Sequence, residues 1–511
     1  MVLFIIMAVI ALASLGLGIY YAVTFIKNAI PPITFDKLWK RMLIILGIFA
    51  VSFTVMMNSI YIWGNIHPNG YELTAAIVGG LLVGILIPST LFTFLFHYYG
   101  KGESKGITSF IDKWLFRSFM ISFPLLIVSI FFLTEGFANY VTYPLVNGFS
   151  FTKGFVTPDQ PSNIAFYALC IMSGAVFVYF LCDHKYYIQY GKHGILESLF
   201  LVAFPAGILG ARIFYVVGNW SREFDYGRAM TYIGDFKIWA PLAIWEGGLT
   251  ILGGAIMGIV VGVAWFMWRN KGYSIWLAVD IIVPTILIAQ AVGRWGNFFN
   301  IEVHGVQSPV QYWNWLPQFI VNNAHYSIVA GEADPGMIYV PLFFIEFCTN
   351  LLGYFVIAHV FGIALRKHTE LGDLAFGYII WYGLTRLFLE PLRDTSFNMG
   401  KDGFWSWIWS LAFVIGGVLL IVGNHVVRYF LKPRKVNEKQ YFIISVIISL
   451  VFVALLVPSI ILLSKGHASA TLQLNTFTWG LILLALSISA LLTLGITLVP
   501  IINQRKKNAS I

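Results

Sequence analysis

The chain has 511 residues, of which 59% are hydrophobic and only 11% are charged, against about a quarter charged in an ordinary soluble domain. The mean hydropathy is +0.80. These values exclude a soluble enzyme, a nucleic-acid-binding protein and a disordered chain, and they predict an all-α polytopic membrane protein. The net charge of +9 fits cationic loops at one membrane face, so we expect no nucleic acid as a partner.

Long apolar runs predict about thirteen transmembrane helices. Their expected ranges are 3–25, 42–63, 75–97, 117–136, 164–182, 195–218, 242–268, 275–293, 340–365, 372–391, 404–427, 441–464 and 475–502. No internal repeat is visible, which disfavours the transporter folds that are built from duplicated halves.

The basic residues predict the orientation of these helices. Most of the 32 Lys and Arg residues fall in alternate loops, which the positive-inside rule assigns to the cytoplasm. The N-terminus is then outside, and thirteen spans place the C-terminus inside. We therefore expect a multi-pass membrane protein with its N-terminus outside and its C-terminus in the cytoplasm.

Four arginines interrupt or end the apolar spans on the side that this topology places outside. Arg212 lies in the sixth span, Arg294 ends the eighth, and Arg386 and Arg393 lie at the end of the tenth. Arginine is costly in a membrane and usually faces a bundle interior or marks a functional site. Several at one depth predict a pocket for an anion, and a phospholipid headgroup is the natural anion there.

The stretch GRWGNFFNIEVHG, residues 293–305, combines a cation, two amides and a carboxylate. Arg294 can fork onto phosphate oxygens, and Asn297 and Asn300 can donate hydrogen bonds to the same ligand. Glu302 can orient an arginine or accept a proton. The alternative is a helix C-terminus with ordinary polar caps, but an arginine in the membrane favours a functional site.

Arg386, Glu390 and Arg393 follow one another at i, i+4 and i+7, so they share one helix face. They either form a second phosphate-binding arm or an ion-pair ladder that only neutralises itself. Tyr382 lies one turn before Arg386 on the same side. Asp280 and Glu346 are single acids within spans, and we expect each to pair with one of the arginines.

The stretch WEGGLTILGG, residues 245–254, opens the seventh predicted span. Glycines at helical spacing allow a close approach of a lipid or of another helix. The glycines concerned are Gly247, Gly248, Gly253 and Gly254. Lipid binding and simple helix packing both remain open from the spacing.

Residues 160–430 resemble the bacterial prolipoprotein diacylglyceryl transferase family, through an ordered set of motifs. The motifs are FYALCIMSG at 166–174, GARIFYV at 210–216, WEGGLTILGG at 245–254, VDIIVP at 279–284, GRWGNFFNIEVHG at 293–305, VPLFFIE at 340–346 and YGLTRLFLEPLRD at 382–394. The resemblance implies a seven-helix core at 156–432. It leaves an N-terminal extension of about four helices at 1–155 and a C-terminal extension of about two at 433–511.

The resemblance also implies the reaction. The family moves a diacylglyceryl group from phosphatidylglycerol to the lipobox cysteine of a prolipoprotein at the outer leaflet, forming a thioether and releasing glycerol phosphate. No metal or other cofactor is implied. The residues expected to act in catalysis are Arg294, Arg386, Glu302, Glu390 and His304. The residues expected to bind substrate are Tyr167, Arg212, Gly247, Gly248, Gly253, Gly254, Asn297, Asn300, Gly305, Tyr382 and Arg393.

Two positions depart from the family pattern. Leu252 and Val340 stand where the family carries histidines, and one of those histidines is often proposed as the general base. His304, a carboxylate, or the arginine field acting on the thiol are the possible replacements. A non-catalytic relative that binds lipid or precursor, and a lipid or anion transporter, remain as alternative functions.

Overall fold

The computed structural model describes the ranges 2–27, 35–63, 67–68, 70–100, 107, 109–136, 149–150, 154–155, 166–220, 230–233, 236–242, 250–270, 272–300, 305–327, 331–393, 404–433, 436–464 and 476–509. The α-helices in these ranges are α1 (Val2–Ile26), α2 (Phe35–Trp63), α3 (Gly70–Tyr99), α4 (Ser109–Gly136), α5 (Phe166–Tyr190), α6 (Glu197–Gly218), α7 (Ile251–Arg269), α8 (Ile275–Asn300), α9 (Gln318–Asn323), α10 (Leu342–Tyr354), α11 (Asp373–Leu389), α12 (Phe404–Leu431), α13 (Glu438–Ser464) and α14 (Thr476–Ala509).

The prediction of an all-α polytopic membrane protein is confirmed. Among the described residues, ten helical segments are long and apolar enough to cross a membrane, and each of the thirteen predicted helices has a counterpart. Three of these counterparts are not among the ten long apolar segments. Helices α7 and α11 are shorter, and α5 carries the charged residues Asp183 and Lys185 in its second half. Large apolar side chains face outward, such as Leu12 at 69% and Leu450 at 66% exposure, as expected of a surface that lipid covers.

Several helix boundaries differ from the predicted ones. Helix α8 continues to Asn300, two turns beyond the predicted end at 293. The seventh long helix begins at Ile251 rather than at 242, after a 3-10 turn over Ala240–Leu242. Helix α10 continues as a π-helix over Phe355–Ala364. Hydropathy locates only the apolar part of a helix. The helical backbone hydrogen bonds can extend beyond that part into polar residues, so the observed ends differ from the predicted ones.

Glycines allow the helices around the site to approach closely. A Cβ atom at Gly253 of α7 would lie 2.5 Å from the carbonyl oxygen of Gly210 on α6. A Cβ atom at Gly383 of α11 would lie 2.7 Å from the carbonyl oxygen of Ser410 on α12. Small residues at such crossings are typical of membrane helix pairs, and here they fix the α6–α7 and α11–α12 pairs.

The segment between α8 and α10 folds into a small cap, whose described residues are 305–327 and 331–341. Strand β5 (Gln307–Pro309) pairs antiparallel with β8 (Met337–Tyr339), with Ser308 opposite Ile338. The Trp313 indole donates a hydrogen bond to the Ser308 hydroxyl at 3.0 Å. Phe298 at the end of α8 and Phe343 at the start of α10 pack into the core of this cap, so the cap covers the ends of both helices.

The other strands form short two-residue to four-residue pairs. They are β1 (Phe149–Ser150) with β2 (Gly154–Phe155), β3 (Met230–Ile233) with β4 (Phe236–Trp239), and β6 (Tyr326–Ser327) with β7 (Gly331–Glu332).

Two histidine–aspartate pairs lie where the N-terminal helices meet α5. His97 on α3 is fully buried, and its Nδ1 lies 2.7 Å from an oxygen of Asp112 on α4. Just beyond α5, His193 Nδ1 lies 2.7 Å from an oxygen of Asp183, whose side chain is 1% exposed. The rings of His97 and His193 are 5.2 Å apart, and the Tyr98 ring is 4.6 Å from His193. The N-terminal helices and the rest of the chain therefore share one polar cluster.

Candidate active site

Arg294 lies in the last two turns of α8, where it forms an ion pair with Glu346 of α10. Glu346 is only 5% exposed. Asn297 follows Arg294 by three residues on α8 and is also buried, so the two side chains lie one turn apart on the same side of the helix. A buried carboxylate from a second helix thus holds the arginine near the end of α8.

Arg386 and Glu390 form the second ion pair, at the end of α11. The Nη2 atom of Arg386 lies 3.3 Å from Oε2 of Glu390. Glu390 is 2% exposed and begins a 3-10 turn over Glu390–Leu392. Neither of its carboxylate oxygens accepts a hydrogen bond from a described residue. Burying a carboxylate in this way is costly unless cations balance its charge.

Gly305 brings the end of the 293–305 motif against two other elements. Its N–H donates to the Val340 carbonyl oxygen at 3.0 Å, and it forms a β-bridge with Arg393. A Cβ atom at Gly305 would lie 2.6 Å from the Leu392 carbonyl oxygen, so only glycine fits. This contact ties the segment after α8 to the start of α10 and the end of α11.

Arg393 connects the two ion pairs. Burial and the neighbouring Arg386 lower the pKa of the Arg393 guanidinium, Glu346 and Glu390 raise it, and Arg294 lowers it again. A guanidinium remains protonated in a protein despite such shifts. All five groups therefore interact within one site, which holds three cations and two carboxylates among the described residues.

Aromatic side chains of α11 lie beside this group. The Gln290 amide of α8 donates a hydrogen bond to the Tyr378 hydroxyl at 2.8 Å, and Arg294 is within electrostatic range of that hydroxyl. The Tyr382 ring stacks near Tyr378 with centroids 6.3 Å apart, and it meets Phe413 of α12 edge-on. Tyr382 therefore lies between Tyr378 and Phe413, one turn before Arg386 on α11.

The sequence profile described as prolipoprotein diacylglyceryl transferase matches residues 156–423, which is just over half of the chain. The chain belongs to this family. The match contains every residue of the two ion pairs. Three curated relatives, from Streptococcus suis, Clostridium novyi and Streptococcus agalactiae, each carry the name phosphatidylglycerol–prolipoprotein diacylglyceryl transferase.

These relatives resemble the chain over almost their whole length. The Streptococcus suis protein is 32% identical over 284 residues, which is 55% of this chain and 92% of the relative. The Clostridium novyi protein is 33% identical over 267 residues, 52% of this chain and 93% of the relative. The Streptococcus agalactiae protein is 34% identical over 263 residues, 51% of this chain and 92% of the relative.

Three other residues that the sequence predicts to bind substrate make contacts with other parts of the protein. Arg212 of α6 is buried, and it donates hydrogen bonds to the carbonyl oxygens of Pro241 at 3.0 Å and Ala240 at 2.8 Å. Gly253 and Gly254 of α7 face α6 at close range. Arg212 thus ties α6 to the 3-10 turn over Ala240–Leu242, and the two glycines allow α6 and α7 to pack closely. Contact of these three residues with substrate stays a prediction.

Several predicted residues lie outside the described part of the chain. They are Gly247, Gly248, Glu302 and His304. Tyr167 and Asn300 lie on α5 and α8, but their side chains are outside the described part, as is the side chain of Leu252. Val340, the second departure from the family pattern, is 1% exposed and packs with Leu342 and Leu389.

The two single acids within spans have different partners. Glu346 pairs with Arg294; the sequence predicted an arginine partner for Glu346 but did not say which one, and the motif VPLFFIE was the signal that could have placed it in the site. Asp280 pairs with no arginine in the described structure. It accepts hydrogen bonds from the backbone N–H groups of Gly372, Leu374 and Ala375 at 2.7 to 3.1 Å, and so caps the N-terminus of α11.

The arrangement suits a phosphate-containing ligand. Arginine forks bind phosphate oxygens in two-point contacts, and the buried glutamates fix the arginines before the ligand arrives. Among the described residues, no group of three or more His, Cys, Asp or Glu side chains is arranged to hold a metal ion. The polar groups of the site that the structure describes are arginine, carboxylate, amide and tyrosine side chains.

Proposed function

We propose that the chain transfers a diacylglyceryl group from phosphatidylglycerol to the lipobox cysteine thiol of a prolipoprotein. Family membership and the names of the relatives support this reaction class. The observation that carries it at the level of residues is the paired cluster, Arg294 with Glu346 and Arg386 with Glu390. This cluster lies within the matched region and offers preorganised cations to a lipid phosphate.

The reaction needs a nucleophile and a stabilised leaving group. The thiol loses its proton, and the sulfur attacks the carbon of the diacylated glycerol that is esterified to the phosphate. The new C–S bond forms as the C–O bond breaks, and the electron pair of that bond leaves on a phosphate oxygen of glycerol phosphate. Arg294 and Arg386 stabilise the charge that grows on this oxygen, because both side chains are held in place before the step.

The acceptor of the thiol proton is assigned to His304 in this proposal. A free thiol has a pKa near ~8.5, so it needs help to ionise at neutral pH. Leu252 has no proton-accepting atom, and His304 is the histidine inside the matched motifs. A neutral imidazole is an effective base in this pH range. The competing account leaves ionisation of the thiol to the field of the arginines alone.

The location of the reaction is also part of the proposal. The basic loops support an N-terminus outside and a C-terminus in the cytoplasm. In that orientation the ends of α8 and α11, which carry the arginines, point toward the outer leaflet. The core would then occupy residues 156–432, flanked by extensions at 1–155 and 433–511.

Transfer is tested with radiolabelled phosphatidylglycerol in membranes that contain the full-length protein. The acceptor is a peptide with a lipobox cysteine, and its control is the same peptide with serine in that position. We expect a thioether product with the cysteine peptide, none with the serine peptide, and none from Arg294→Ala at a matched protein level. Membranes that contain an active relative serve as the positive control. If they convert the lipid while membranes with this protein leave it unreacted, transfer is contradicted and a binding or transport role is favoured.

A further inference from the structure

The ion pair between Glu346 and Arg294 is formed on the Nε side of the guanidinium. The carboxylate of Glu346 meets the Nε atom of Arg294. The end of the fork, formed by the two Nη atoms, is the edge that gives a two-point contact with a phosphate. Glu346 is 5% exposed, and it reaches Arg294 from a different helix. It can therefore fix the direction in which Arg294 presents its fork.

Glu346 also changes the charge of the site. The described cluster contains three guanidinium groups, Arg294, Arg386 and Arg393, and two carboxylates, Glu346 and Glu390. Its net charge is therefore +1. The other described neighbours, Asn297 and the tyrosines of α11, carry no charge at neutral pH. Removal of the Glu346 charge would raise the sum over these described groups from +1 to +2, which strengthens the attraction for a doubly charged ligand more than for a singly charged one.

The lipid substrate and the released product differ in this charge. The phosphate of phosphatidylglycerol is a diester with one negative charge. Glycerol phosphate is a monoester with a second pKa near about 6, and it carries close to two negative charges above neutral pH. The difference appears only after the C–O bond has broken, so a charge-matched site distinguishes substrate from product.

We propose that Glu346 is a positioning and specificity-determining residue that sets the site to hold a phosphodiester monoanion and to release a phosphomonoester dianion. This rests on the proposed transfer reaction. Glu346 aims the fork of Arg294 at the diester, and its own negative charge removes the excess attraction that would retain the product. Glu390 contributes a negative charge as well, but it pairs with Arg386 and forms no ion pair with Arg294 in the described structure, so the direction of the Arg294 fork depends on Glu346.

The test measures binding of two water-soluble probes to the purified full-length protein by calorimetry. Glycerol 1-phosphate is the monoester, and glycerophosphoglycerol is the diester headgroup without acyl chains. The variants are Glu346→Gln, which removes the charge, and Glu346→Asp, which keeps it. The matched control is Glu438→Gln, since Glu438 pairs with Arg505 at 3.1 Å in an exposed position far along the chain.

At pH 8 we expect Glu346→Gln to shift the ratio of the two dissociation constants at least about tenfold in favour of the monoester. Removing one negative charge about 6 Å from the ligand, in an effective dielectric constant of about 20, changes the affinity for one additional ligand charge by about 100-fold before salt screening. At pH 5 most of the monoester is a monoanion like the diester, so the shift should be several-fold smaller than at pH 8. Glu346→Asp and Glu438→Gln should keep the ratio of the unsubstituted protein at both pH values.

An unchanged ratio for Glu346→Gln at pH 8 would overturn the proposal, and so would an equal shift at pH 5 and pH 8. Retention of the normal ratio by Glu346→Asp guards against misfolding as the cause. Binding of the two probes requires no turnover, so the ratio of dissociation constants can be measured whether or not the protein catalyses transfer. A shifted ratio in a protein without transfer activity supports the charge role and contradicts the proposed reaction. Normal transfer with an unshifted ratio contradicts the charge role alone.

Discussion

Gly383→Ala should destabilise the α11–α12 pair and misplace Arg386. The added Cβ atom would lie 2.7 Å from the Ser410 carbonyl oxygen and 2.9 Å from the Val414 nitrogen, both of which are main-chain atoms of α12. Ordinary contact begins at 3.4 Å, so the helices must separate by about 0.7 Å, the difference between 3.4 and 2.7. Overpacking of this kind costs about 1–3 kcal/mol. Alanine offsets about 1 kcal/mol through its helix propensity, which leaves a loss of stability of up to about 2 kcal/mol.

The assay compares Gly383→Ala with Gly416→Ala by thermal unfolding in the same detergent and by the rate of diacylglyceryl transfer. Gly416 is a helical glycine of α12 with no atom within 4 Å of an added Cβ, so its variant should unfold at the normal temperature or above it. Arg386 follows Gly383 by one turn, and a displacement approaching 1 Å should lower turnover about tenfold or more. Equal unfolding temperatures and equal rates for the two alanine variants would refute the reasoning.

Three other predictions concern the site and its orientation. Arg294→Lys should fail to restore transfer, since lysine lacks the planar fork; near-normal turnover at a matched protein level would remove the fork from the mechanism. His304→Gln should lower peptide turnover by about 100-fold near neutral pH, with a smaller loss as the pH approaches the pKa of the thiol; a constant ratio of rates across pH would leave activation to the arginines. In a background without native cysteines, a cysteine at exposed Tyr312 should react with an impermeant reagent in intact cells and one at Lys367 should not; the reverse pattern would invert the proposed topology.

The sequence predicted the fold class well because long apolar runs have few alternatives to membrane helices. Boundaries were less predictable. Helix α8 runs through Arg294 and Asn297 to Asn300, since both polar side chains face the protein rather than lipid. The π-helix at Phe355–Ala364 carries no hydropathy signal, because its residues are as apolar as those of an ordinary span.

The site was predictable in its cations and less so in their partners. Arginines within spans are conspicuous, and the spacing of Arg386 and Glu390 already suggested their ion pair. The pairing of Arg294 with Glu346 depends on how α8 crosses α10, which no local pattern encodes. Asp280 shows the limit most clearly. An acid in a span was expected to meet an arginine, yet three backbone N–H groups of another helix satisfy it.

The histidine–aspartate pairs beside α5 depend on the N-terminal helices for part of their surroundings. Without residues 1–136, His184 would lose the Phe116 ring that stacks on it at 3.5 Å, and His193 would lose the Tyr98 ring beside it. Asp183 would keep its contact with His193 and the hydrogen bond that it accepts from the Gly194 N–H at 2.8 Å, but the side of this cluster that faces α3 and α4 would be exposed. Trimming the gene to the length of its relatives would therefore uncover a surface that the full-length protein covers with its N-terminal helices.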